Sequence, residues 1–168
     1  LEKMNNKILF FSSIIFLVFF INADSAYKSK KFLIGDIKVD ELFNEYPIFK
    51  SRYENYKVTQ QIDLRESTEL SVIITFGTWC HDSKREVPRM LKILDSAGMK
   101  SEQISLIGVD INKTEPNGRE QLYNLKNTPT FILLRNGKEV GRIVERPQIS
   151  LESDLINLTK SLAPVAED

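Results

Sequence analysis

Apolar positions fall into distinct patterns along this chain, and each pattern predicts an element. Ile8 to Ile21 is a 14-residue apolar run broken only by Ser12 and Ser13. Leu42, Phe43, Tyr46, Phe49, Tyr53 and Tyr56 then recur at spacings of three and four, a helical stripe. Pro47 lies inside the stripe, which predicts two short helices with Pro47 in the first turn of the second. The aromatic side chains either pack on the domain's sheet or present a partner-binding face, and packing is the favoured reading. Val58 to Leu64 is expected to hold a short edge strand. Ser71 to Phe76 is continuous and β-branched, as in a buried central strand.

Past Cys80 the period returns to that of a helix, with Val87, Met90, Leu91 and Leu94 on one face and Pro88 placed to kink it. Gln103 to Asp110 reads as a second strand, followed by a turn-rich loop over Lys113 to Gly118. Arg119 to Leu125 is a short helix, and Thr130 to Leu134 a third strong strand. Asn136-Gly137 signals a two-residue hairpin turn, with the chain returning over Glu139 to Glu145. Ser150 is placed to cap a last helix carrying Leu151, Leu155, Ile156, Leu158 and Leu162, with Ala163-Pro164 ending it. Alternating strands and helices followed by a hairpin predict an α/β fold, with a mixed sheet and helices on both faces. The Cys80 strand and the Ile104 strand are expected to pair through a right-handed βαβ crossover.

The apolar run near the start changes the picture of where the domain resides. Lys3 and Lys7 precede it, and Asn22-Ala23-Asp24-Ser25-Ala26 follows. A spanning helix needs about 20 apolar residues, so this shorter run suits a signal-peptide core. Met4 is the natural start. Ala23 and Ser25 fit the −3 and −1 positions, with cleavage after Ser25. An uncleaved N-terminal anchor is the alternative, and both readings send the domain across a membrane. The expected organisation is therefore a signal peptide or anchor over 1–26, a linker and N-terminal helical extension over 27–57, and the main domain over 58–168. In a bacterium the destination is the periplasm, with inner-membrane anchoring if the segment is retained.

Charge and cysteine content narrow the chemistry. Among 168 residues Lys+Arg and Asp+Glu both number 23, a balance that argues against a nucleic-acid partner. The single cysteine excludes an intramolecular disulfide and any zinc site built from several cysteines. No metal site is expected, since Cys80 with His81 supplies too few ligands. A lone cysteine in an exported chain reads as reactive or intermolecular.

In their order and spacing these features resemble the thioredoxin superfamily over roughly Val58 to Leu162. Trp79-Cys80-His81-Asp82-Ser83 is similar to its Trp-Cys-x-x-Cys site, with serine in place of the second cysteine. Pro88 falls where the family kinks its active-site helix. Thr128-Pro129-Thr130 resembles its cis-proline segment, and Phe131 to Gly141 its terminal hairpin. Val109-Asp110 and the loop after it also match. The resemblance implies a three-layer thioredoxin-like fold and thiol–disulfide oxidoreductase chemistry, with exported reductases as the nearest subgroup. Two departures bear on mechanism. Ser83 cannot resolve a mixed disulfide. Ile74 and Leu106 stand where the family carries a buried Asp and its Lys partner.

Cys80 is the expected nucleophile, placed in the first turn of a helix where unpaired backbone N–H groups favour a thiolate. Ser83, one turn on, either donates its hydroxyl to the sulfur or pairs with Glu86 as a capping box, and the two are compatible. His81 is the chain's one histidine. It is read as solvated, with tuning or partner contact as the alternative. Trp79 either covers the sulfur and meets substrate or belongs to the core. The resemblance implies that Pro129 is cis and that Thr128 pairs with the substrate chain, whereas the local sequence alone also allows an ordinary loop proline.

The function so expected is single-cysteine exchange through mixed disulfides: reduction, isomerisation or deglutathionylation. Partners are disulfide-bonded or thiol-modified exported proteins. No bound cofactor is expected, and glutathione is the candidate external thiol. A membrane partner arises only if the N-terminal segment is retained. A binding or chaperone-like module that turns nothing over is the competing reading. A one-cysteine peroxidase is disfavoured because Gly77 stands where its threonine belongs. The iron–sulfur monothiol glutaredoxins are disfavoured because His81-Asp82 departs from their site. Expressed with its leader in an exporting host, the chain is expected to yield a mature form beginning at Ala26. Intact-mass measurement reads this directly, and a mature chain still containing Lys7 indicates the anchor instead.

Overall fold

The computed structural model describes residues 32–160. The expected leader, most of the linker, Leu162 and the Ala163-Pro164 stop lie outside them. Among the described residues no helix is long and apolar enough to cross a membrane.

The central strand is β2, Leu70–Phe76. Its β-branched residues suit a pleated surface covered on both sides. β3, Ile104–Gly108, runs parallel to it, with Ile74 opposite Leu106. β4, Thr130–Arg135, pairs antiparallel on the other side of β2. β5, Lys138–Val144, returns antiparallel on β4. Asn136 and Gly137 both have positive φ, 49° and 74°, the geometry a two-residue hairpin turn demands. The sheet order is β1-β3-β2-β4-β5.

The edge strand β1 is Gly35–Ile37, antiparallel to β3. It was not legible as a strand, being three residues long with glycine and aspartate in it. The strand expected within Val58 to Leu64 does not form. That segment passes the end of the active-site helix instead, where Leu64 N–H donates to Ala97 O at 2.8 Å. The edge strands of the sheet are β1 and β5. Gly108 permits β1 to close in, because a side chain there would strike the Leu33 backbone and Ile37.

The aromatic stripe splits into α1, Val39–Glu45, and α2, Pro47–Asn55, with Pro47 in the first turn of α2. Proline tolerates that position because its missing N–H would have had no helical acceptor. Leu42 and Phe49 are fully buried, and Phe49 meets Phe76 of β2 edge-on at 5.9 Å. The stripe is thus core. The long helix α3, His81–Ser96, buries Val87, Met90, Leu91 and Leu94 in the same cluster, with Pro88 inside the helix. The short α4 is Arg119–Leu122, three residues shorter at its end than the pattern suggests. The last helix α5, Leu151–Lys160, starts with Ser150 Oγ accepting from Ser153 N–H at 3.0 Å, the expected cap. On the opposite sheet face Ile73, Ile107 and Ile132 form a smaller cluster with Tyr123, just past α4.

Two buried carboxylates tie the connections together. Glu152 is fully buried and accepts from Tyr56 Oη at 2.9 Å and from Thr59 N and Oγ1 at 3.1 Å. It thereby fastens α5 to the exit of α2. Burial, and next the bond to Glu152, push the Tyr56 pKa up to about 12. Glu115 accepts from the backbone N–H of Asn117 at 3.1 Å and of Arg119 at 2.8 Å, and pairs with the Arg119 guanidinium at 3.1 Å. Arg119 also reaches Asp36 of β1 at 2.6 Å. The loop after β3 is thus pinned to the edge strand.

The Arg119 side chain is the largest influence holding Glu115 down, from its ordinary 4.5 to about 2. A lowered native pKa makes the contribution full above the unfolded value and lost as pH falls through the native one. Glu115→Gln is expected to cost about 1–3 kcal/mol near neutral pH. In chemical denaturation, the gap between wild type and variant should hold above pH 4.5 and shrink as pH falls toward about 2.

Candidate active site

β2 delivers the chain to Gly77 with the fully buried Phe76 anchored in the core. A turn follows in which Cys80 N–H donates to Gly77 O at 3.0 Å. Gly77 is required by contact, since a Cβ there would fall on the Trp79 indole. The indole, half-buried, donates from Nε1 to Val109 O at 3.1 Å, which clamps the turn to the end of β3. Lys84 Nζ donates to the Trp79 carbonyl at 3.2 Å.

Cys80 is the residue that caps α3, with extended φ and ψ of −72° and 130°. Its Sγ accepts from Ser83 N–H at 3.5 Å. The thiol donates to Thr128 O at 3.2 Å. Ser83 is fully buried and its Oγ accepts from Gly77 N–H at 3.3 Å. Because Cys80 occupies the cap position, a capping box between Ser83 and Glu86 does not form. Glu86 pairs instead with Arg85, and with Arg89 at 3.5 Å.

Burial of the Cys80 thiol works against ionisation. Hydrogen bonding from the Thr128 and Ser83 side chains and from the N–H groups of Ser83 and Asp82 outweighs it, and the pKa lies below the ordinary thiol value. The Thr128 carbonyl accepts from the protonated thiol, whereas the donors favour the thiolate. Cys80 as a residue is half-buried.

The Thr128–Pro129 peptide bond is cis and sets Thr128 beside the sulfur. Pro129 O is taken by Glu145 N–H at 2.7 Å, and Thr130 Oγ1 donates to Asn127 O at 2.7 Å. Ser83 and Thr128 thus contact the Cys80 sulfur, with Trp79 and Pro129 next to Cys80 and Thr128 in the chain. His81 is adjacent but points outward, its side chain 80% exposed. Ile74 and Leu106 are both buried and lie opposite one another in the sheet, so the strands carry apolar side chains at this pair.

Two contacts at Asp82 were not anticipated. Arg85 reaches its Oδ1 at 2.7 Å, and Arg146, from the segment after β5, reaches it at 3.2 Å. The Asp82–Arg85 spacing of three was a readable helical pair. Arg146 carried no signal, because 64 residues separate it from Asp82.

Comparison with known proteins identifies the lineage. The Thioredoxin family model matches residues 51–157. A thioredoxin of Chlamydia trachomatis is 33% identical over 75 residues, covering 45% of this chain and 68% of that protein. Thioredoxin H2 of Arabidopsis thaliana is 25% identical over 96 residues, covering 57% of this chain and 68% of the relative. Among solved structures, oxidised thioredoxin O2 of Arabidopsis thaliana superposes with a TM-score of 0.41 at 20% identity, over 66% of this chain and 85% of that one. With a matching family model over most of its length and a cysteine sulfur capping the helix after its central strand, this chain belongs to the thioredoxin family.

Proposed function

We propose that the protein is an exported thiol–disulfide oxidoreductase that works with one cysteine and depends on a thiol from outside. The observation that carries this reading is the Cys80 sulfur itself. It caps α3, it is half-exposed, its pKa is lowered, and its neighbour at the position of a second cysteine is the buried hydroxyl of Ser83. The leader-like segment over 1–26 is the reason for reading the protein as exported, with the periplasm as its compartment in a bacterium.

The chemistry is disulfide exchange. The Cys80 thiolate attacks one sulfur of a partner disulfide, the S–S bond breaks, and the second partner sulfur leaves as a thiolate. An external thiolate, glutathione or a second thiol of the partner, then attacks the partner sulfur of the mixed disulfide. That step restores the Cys80 thiolate and leaves the partner joined to the new thiol. When the new thiol lies in the same partner the result is isomerisation. When it is external, another thiol equivalent completes reduction. In deglutathionylation the Cys80 thiolate attacks the glutathione sulfur of the adduct and the partner thiolate leaves. An external thiolate then attacks that same glutathione sulfur, carrying glutathione off as a disulfide and restoring the Cys80 thiolate.

Each nearby residue has a place in this sequence. The donors around Cys80 stabilise it as nucleophile and as leaving group. Thr128 and Pro129 flank the sulfur where a partner chain lies alongside, and Trp79 and His81 form the adjoining rim. Ser83 maintains the turn through Gly77 and offers no thiol. A fold retained for binding alone is the competing reading, and the trapping experiment separates the two.

Incubating the purified domain with disulfide-bonded proteins or oxidised glutathione is expected to give an adduct at Cys80 by mass spectrometry. Cys80→Ser should abolish it. An absent adduct together with an ordinary thiol pKa defeats the proposal and leaves the binding module. Alkylation of Cys80 against pH should show an inflection below the ordinary thiol value, and Ser83→Ala should move it upward. Ser83→Cys, which restores a resolving thiol, is expected to gain disulfide reductase turnover in a coupled assay without added glutathione.

A further inference from the structure

Beside the reactive sulfur, the charges of α3 are sorted by depth. In its first two turns the acidic side chains turn inward, Asp82 being 21% exposed and Glu86 only 3%. Arg85, which pairs with both, is 25% exposed, Arg89 is 41% exposed, and Arg146, reaching Asp82 from beyond β5, is 66% exposed. Around those first turns the more exposed charges are therefore the cationic ones, although the whole chain is neutral.

This sorting culminates in a cleft of about 310 Å³ between α2 and α3, lined by Arg52, Asn55, Tyr56, Arg85 and Arg89. Three guanidinium groups meet there. Glu86 is shared between Arg85 and Arg89, and its contact with Arg89 Nη1, at 3.5 Å, is long. The Arg89 guanidinium also lies over the Tyr56 ring, 5.5 Å from its centre. Among the described residues Arg52 has no ion-pair partner, and its buried Nη1 has no acceptor. A buried guanidinium nitrogen without an acceptor is costly, and a planar fork is shaped for a carboxylate.

We propose that this cleft recognises a carboxylate of the partner polypeptide, so that Cys80 selects disulfides flanked by acidic residues. The inference rests on the exchange reading above. Helix rise places Arg85 about 7.5 Å and Arg89 about 13.5 Å along α3 from Cys80. An extended partner chain spans that distance in about two to four residues. An Asp or Glu at that separation from the attacked cysteine brings its carboxylate to Arg52 and Arg89 while the disulfide meets the sulfur. Such a charge contact accelerates encounter more than it deepens affinity, and it weakens with salt.

The test uses two short peptides that differ only in Glu or Gln about three residues from a cysteine, an extended-chain spacing. The cysteine is held in a disulfide with an aromatic thiol of low pKa. Cys80 attacks the peptide sulfur and releases the aromatic thiolate, whose absorbance reports the rate. The Glu peptide is expected to react about threefold to tenfold faster at low salt. Arg52→Gln should remove most of that preference while leaving the rate with the Gln peptide unchanged, and a thermal melt checks its fold. Equal rates for the two peptides in wild type, or a preference that survives in Arg52→Gln and Arg89→Gln combined, overturn the proposal. Serine versions of both peptides, followed through the arginine Nε–H resonances, read recognition without the thiol. Shifts at Arg52 and Arg89 with the Glu peptide, if Cys80 proves inert, uphold recognition and reject exchange. Exchange without preference does the reverse.

Discussion

The end of the molecule that carries Cys80 depends on one hydrogen bond, from Ser83 N–H to the sulfur of Cys80. A helix leaves its first N–H groups without partners, and a side-chain oxygen of Ser, Thr, Asp or Asn commonly fills that role. Here the filling atom is the Cys80 sulfur. Stabilising the helix and stabilising the thiolate are consequently the same interaction. The turn that presents the sulfur is held from three directions: Ser83 Oγ on Gly77 N–H, the Trp79 indole on Val109, and Thr128 O on the thiol. Each comes from a different stretch of chain, and the sheet brings them into register.

Polar burial follows a division of labour. At Ile74 and Leu106 the sheet is apolar, with no carboxylate between the strands at that pair to bias the thiol. The buried carboxylates serve connections instead. Glu115 organises the loop after β3, and Glu152 joins α5 to the chain leaving α2. Glu86 gathers two arginines on the flank of α3. Cys80 is governed by local N–H and hydroxyl donors, which outweigh the cost of its partial burial.

Much of this was legible from periodicity. β2, β3, β4 and α3 each carry a run of apolar residues at one clear period, and burial on the sheet is what such a run selects. The Asn136-Gly137 turn and the Pro47 break were readable because each residue type permits a conformation that others resist. β1 was not, because three residues including Gly35 and Asp36 carry no period. Its strand character comes from the register offered by β3. Val58 to Leu64 looked like a strand for the converse reason: local propensity favours extension, but the segment is held at the end of α3 by Leu64 N–H on Ala97 O rather than in the sheet.

By itself the sequence determined the α/β order, the single cysteine before an amphipathic helix, the serine where a second thiol would stand, and the proline segment ahead of the third strong strand. These are properties of residue type and near-neighbour spacing. The tertiary structure alone decided that Cys80 is the cap rather than a residue within the helix, that Glu86 faces arginines instead of closing a box with Ser83, and that Arg146 and Arg52 come to flank α3. Those outcomes depend on which distant groups compete for the same N–H, carboxylate or guanidinium. That competition is settled only once the strands are in register and the helices are packed against them.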